Sequence, residues 1–152
     1  MNATHPESAR AIAGSTAVRV PRLVAVVAAV AAALAVFAVI EGVMGVELQT
    51  PGFGSSGAQD LGLVAVLVTS ALAGAAAWGL LALLERWTSR PRRYWTIAVT
   101  FGFLISIGGP MSGTGISQDN RWLLLLLHVV VALVLIPLLY RTARSGPYRS
   151  RA

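Results

Sequence analysis

The stretch WLLLLLHVVVALVLIPLLY, residues 122–140, is almost pure hydrocarbon, interrupted by one ionisable ring, His128, and one helix breaker, Pro137. Nineteen residues of this kind match the roughly 20 that an α-helix needs to cross about 30 Å of hydrocarbon at 1.5 Å per residue. Read as a membrane span, the run predicts three companions elsewhere in the chain. Span one covers about 23–43, from Leu23 to at least Ile40 and as far as Val46 at its longest. Span two covers 61–84, span three 94–109, and span four is the opening stretch at 122–140. The predicted class is an all-α polytopic membrane protein, an antiparallel four-helix transmembrane bundle with both termini on the inner side. Residues 1–22 are expected to be a disordered cytoplasmic tail, 23–140 the transmembrane domain, and 141–152 a basic cytoplasmic tail.

The composition supports this reading. Of 152 residues, 56% are hydrophobic and 12% charged, about half the charged share of a soluble domain. All twelve basic residues are arginine, and the Ala, Val and Gly bias points to a GC-rich genome. There is no cysteine, which excludes disulfides, thiolate metal sites and thiol redox chemistry.

The net charge of +6 has a topological origin. Arg10, Arg19 and Arg22 precede span one. Arg86, Arg90, Arg92 and Arg93 join spans two and three, and Arg141, Arg144, Arg149 and Arg151 follow span four. On the other side stand Arg121 and the acids Glu41, Glu47, Asp60 and Asp119. Eleven of twelve arginines on one face predict, by the positive-inside rule, that this face is cytoplasmic. The location is then a bacterial cytoplasmic membrane, crossed several times. The bilayer is the expected partner, with self-association or a larger membrane complex open, and nucleic acid excluded for want of a motif or an aromatic-basic platform.

Local signals fill in the ends. Pro21 is expected at the first turn of span one, where its missing N–H is harmless. Pro51-Gly52 suits a type II turn in an otherwise irregular loop, and Asp60 can cap span two. Gly108-Gly109-Pro110 is expected to end span three, and Ser117 or Asp119 to cap span four. Trp87, Tyr94, Trp95, Trp122 and Tyr140 fit an interfacial belt, with Trp78 deeper as a packing residue. Small residues four apart (Ser70/Gly74, Ala75/Gly79, Gly102/Ser106, Ala25/Ala29/Ala33) let backbones approach, and spans two and three are expected to form the tight contact.

Three polar side chains share one layer of the hydrocarbon: Thr69, Ser106 and His128. Glu41 stands further out, so an outward-opening funnel with an acidic mouth and His128 at its floor is one expected ligand-binding arrangement. A membrane-embedded histidine is a functional candidate, able to relay protons or orient a ligand. It can equally hold the bundle together through a hydrogen bond between helices. No phosphate loop, metal-ligand spacing or catalytic triad is present, so no cofactor, metal or catalytic residue is expected. The leading expectation is a non-enzymatic structural or interaction bundle. The alternative is a module that binds or transports a small lipophilic molecule or a proton near His128.

LLALLERWTSRPRRYWTIAV (80–99), SIGGP (106–110) and LHVVVALVLIP (127–137) resemble a family of small, uncharacterised four-span membrane proteins of GC-rich Gram-positive bacteria, over about residues 20–142. The resemblance implies an integral membrane location and four helices, and assigns no role to Ser106, Pro110, His128 or Pro137.

Overall fold

The computed structural model describes residues 6–52, 57–112 and 114–144, with side chains from residue 19 onward. The expectations for residues 1–5 and 145–152 lie outside that range. Four long helices, α1 (Pro6–Ala38), α2 (Leu63–Trp87), α3 (Pro91–Ser112) and α4 (Gln118–Thr142), account for nearly all of the described residues. A π-helical turn, Val39–Val43, extends α1. Each helix contains a segment long and apolar enough to cross a membrane: Arg19–Val43, Leu63–Trp87, Pro91–Ser112 and Gln118–Thr142. The protein is an all-α, four-helix membrane protein.

Every helix runs past its apolar stretch. Helix α1 starts at Pro6, so residues 6–22 are helical and Pro21 lies within the helix rather than at its first turn. The alanines at 9, 11, 13 and 17 are strong helix formers, which offsets the cost of the proline. Helix α3 likewise continues through Gly108-Gly109-Pro110 to Ser112. Its end is stabilised from outside, because the Arg121 guanidinium donates to the carbonyls of Pro110 (2.8 Å) and Met111 (2.9 Å). Pro137 sits inside α4 on its exposed face. Ser117 caps α4 as expected, accepting from the N–H of Asn120.

The helices form a ring of neighbours, with α1 packed most extensively against α4 and then α2. The buried stripe of α1 is Arg22, Ala25, Ala29, Ala33, Phe37 and Ile40, a spacing of three and four that lines up one helical face. The expectation that α2 and α3 make the tight contact is therefore corrected. Gly74 faces α1, where an added Cβ would stand 2.7 Å from Val26 Cγ1. Gly102 of α3 faces open space. Trp95, expected at the interface, is fully buried and its indole N–H donates to the Ala77 carbonyl at 2.9 Å.

The loop between α1 and α2 is more ordered than its composition suggests. Strands β1 (Gln49–Thr50) and β2 (Gln59–Asp60) pair antiparallel, and Gly52 bridges to Thr114. The turn expected at Pro51-Gly52 runs into residues 53–56, which lie outside the described residues. Asp60 lies in β2 and accepts from the Gln49 side chain, and Gly62 is the N-cap of α2, without a side-chain cap. Gly45, at φ 66°, turns the chain out of the π-helical turn. The loop then folds back so that Leu48 is buried with Phe37, Ile40, Val66 and Leu124.

Candidate functional site

Both ends of the bundle are closed by polar networks, and the cavity lies between them. At the arginine-rich end, Arg22 is buried and its guanidinium lies 2.6 Å from Glu85 Oε1. The same guanidinium donates to Thr142 Oγ1 (3.2 Å) and to the Thr142 carbonyl (3.1 Å). Glu85 also accepts from the Arg144 N–H at 2.8 Å. Arg92 donates twice to the Ala143 carbonyl, at 2.9 and 2.6 Å, and lies 5.6 Å from the centroid of the Tyr140 ring. One ion pair thus joins α1, α2 and the end of α4. The sequence groups Arg22 only with the arginines that set the topology. The signal that marks it as different is Glu85, the single acid in a nine-residue run, 85–93, that holds four arginines.

At the opposite end, Ala33, Phe37, Ile40, Leu48, Val66, Leu124 and Leu127 form a closed apolar cluster. The Glu41 carboxylate accepts from the Leu48 N–H at 3.3 Å and so pins the loop over this cluster. Asn120 is buried and accepts from the Gln49 N–H at 3.3 Å. These contacts correct the funnel. Glu41 does not line the cavity, and the apolar cluster lies between it and His128.

The cavity itself, about 500 Å³, lies between α2, α3 and α4, with Ala33 of α1 touching it. That volume falls within the roughly 300–1,000 Å³ of small-molecule sites. Thr69, Ser106 and His128 all line it. Thr69 is six residues from the start of α2, Ser106 six from the end of α3, and His128 ten from the start of α4. At 1.5 Å per residue they lie roughly 9, 9 and 15 Å inside the ends nearer the loops. Ser70, which the sequence marks only as a small packing residue, is a fourth polar lining residue. It is legible only once the facing of α2 is known, because Ser70 and Thr69 are sequence neighbours with different surroundings.

The opening is sideways. Thr69, Ala73 and Ala76 of α2 and Gly102 and Ser106 of α3 are lining residues that are also exposed on the flank of the bundle. Helices α2 and α3 are joined by the short link 88–90 and pinned by the Trp95–Ala77 bond. Further along, α2 packs on α1 while α3 packs on α4, held at its far end by Arg121. Small side chains at Ala73, Ala76 and Gly102 leave the gap between α2 and α3 unfilled.

The hydrogen bonds of the lining residues define its chemistry. His128 Nδ1 lies 2.7 Å from the Leu124 carbonyl oxygen. A carbonyl only accepts, so Nδ1 carries a proton, and the neutral tautomer with that proton leaves Nε2 as an acceptor. No group among the described residues hydrogen-bonds Nε2. The hydroxyls of Thr69 and Ser70 donate back to the carbonyls of Ala65 and Val66, each at 2.6 Å. Among the described residues no cluster of three or more His, Cys, Asp or Glu could hold a metal ion.

A model of a family of unknown function, DUF6069, matches residues 13–145, which spans all four helices, and the chain belongs to that family. No curated protein and no solved structure matches it.

Proposed function

We propose that this member of the DUF6069 family is a non-catalytic intramembrane binding module, which takes a small lipophilic molecule from the bilayer through the gap between α2 and α3. The observation that carries the reading is the site of His128. An imidazole whose Nε2 has no partner among the described residues borders an apolar cavity of about 500 Å³ whose rim residues lie on the apolar flank of the bundle. A purely structural histidine would satisfy both ring nitrogens in packed surroundings, because an intramembrane polar group without a partner is costly.

In this reading the protein resides in the cytoplasmic membrane of a bacterium with a GC-rich genome, both termini inside. The support is the sequence distribution of the arginines, eleven of twelve of which fall in the segments on one side of the four spans. The arginine-rich end then serves as architecture. Breaking a buried ion pair by removing one partner costs about 3–5 kcal/mol, so Arg22 and Glu85 hold the helices whose separation defines the cavity.

The test is native mass spectrometry of the full chain extracted from its membrane in mild detergent. Wild-type protein is expected to carry a small lipophilic adduct. Ala76→Trp, which fills the rim, is expected to lose it, whereas Val68→Trp, on the exposed face of α2 outside the cavity, retains it. Equal retention by both variants, or a wild-type chain without an adduct, contradicts the proposal.

A further inference from the structure

The donor and acceptor balance of the cavity narrows its ligand, given the binding reading above. Of the polar side chains that line it, His128 commits its one N–H to the Leu124 carbonyl, Thr69 commits its O–H to Ala65, and Ser70 commits its O–H to Val66. Each retains an acceptor: Nε2 on the ring and a lone pair on each hydroxyl oxygen. Ser106 alone among the polar lining residues makes no hydrogen bond within the described residues, so its hydroxyl can still donate. The lining therefore presents four acceptors, the Ser106 oxygen included, and one donor. Among the described residues no charged side chain lines the cavity, and a charged head at this depth would be left without a counter-charge.

The polar groups also occupy one end. From His128 to Ile136 the α4 lining is apolar over eight residues, about 12 Å. Opposite it stand Ala73, Ala76, Ala77 and Leu80 of α2. Head and tail are thus assigned, with a hydrogen-bonding head among Thr69, Ser70, Ser106 and His128 and a hydrocarbon tail directed toward the arginine-rich end.

We propose that the ligand is an uncharged lipid with a single hydrocarbon chain and a hydroxyl head, a long-chain alcohol or a protonated fatty acid. Its O–H donates to His128 Nε2 and its oxygen accepts from Ser106. An ether or ester of the same chain fills the same space but cannot donate, and leaves Nε2 unpaired. A site built around a hydrogen bond rejects the analogue that lacks it far more strongly than an apolar pocket rejects a change of size.

The experiment compares 1-hexadecanol, palmitic acid and hexadecyl methyl ether as competitors on the purified wild-type chain in detergent, read by native mass spectrometry. Hexadecanol, or palmitic acid below its pKa, is expected to bind at least tenfold more tightly than the ether. Whichever of the two binds more tightly, with the acid held below its pKa, identifies the head the site takes. In His128→Leu the preference over the ether is expected to fall to near unity. The comparison among ligands on wild-type protein decides the matter even if that variant fails to fold. Equal binding of alcohol, acid and ether overturns the donor assignment and leaves the binding reading intact. Absence of binding by all three, on a chain without an extracted adduct, overturns both.

Discussion

Gly74 shows how one missing side chain sets a helix contact. A Cβ at that position would meet Val26 Cγ1 at 2.7 Å, and also Cγ2 at 3.2 Å and Cβ at 3.3 Å. Valine is stiff about χ1, so Val26 cannot swing aside. Gly74→Ala is expected to lower stability by about 1–3 kcal/mol, as overpacked cores do, read as a lower unfolding temperature in detergent. Val26→Ala in the same chain should restore most of the loss, because residues in contact couple. Gly79→Ala, with open space around it, should change little. Ser70 and Gly74 were legible as a small-residue pair, but their partner was not. Lipid and protein interior are equally apolar, so hydropathy carries no information on which helix a face meets. The depths of Thr69, Ser106 and His128 were legible for the opposite reason: depth follows from counting residues along a helix. Glu41 misled because its placement depends on a loop that folds back on itself, which no periodicity encodes.

Among the helices, α3 depends most on contacts outside itself. It is the least apolar of the four, and its last five residues contain two glycines and a proline. Sequence reading ended it there on sound local grounds, since Pro110 removes a backbone hydrogen bond. The helix continues because Arg121 reaches from α4 to its terminal carbonyls, and Ser112 donates back to the Gly108 carbonyl. Hydrogen bonds to a charged group are worth about 1.5–3 kcal/mol each. In Arg121→Met, amide exchange at Met111 and Ser112 is therefore expected to quicken by about tenfold or more, with Ala29 and Ala33 in α1 unchanged. Unchanged exchange at the end of α3 would show that the helix holds itself. Hydropathy registers the hydrocarbon core, so it places the apolar parts of α2 and α4 within a few residues of the helix ends, whereas α1 begins at Pro6, well before Leu23. The extra turns at Pro91–Arg93 of α3 and Gln118–Arg121 of α4 are polar and fall outside that signal.

The whole molecule is a bundle pinned at both ends and open at its flank. The Arg22–Glu85 pair closes the arginine-rich end, the Leu48 cluster closes the other, and the gap between α2 and α3 remains. Because the chain has no cysteine, single cysteines report on it without background. For the proposed orientation, Gly57→Cys is expected to react with an impermeant maleimide on intact cells, and Ser89→Cys only after permeabilisation. The reverse pattern would invert the topology. The same substitution strategy addresses the opening itself through a nitroxide on Ala73→Cys, at the rim of the cavity, in reconstituted bilayers. Its collision rate with oxygen, which concentrates in hydrocarbon, is expected to exceed its collision rate with a water-soluble nickel chelate. A nitroxide that meets the chelate more often than oxygen would show a water-filled entrance and contradict a site supplied from the lipid.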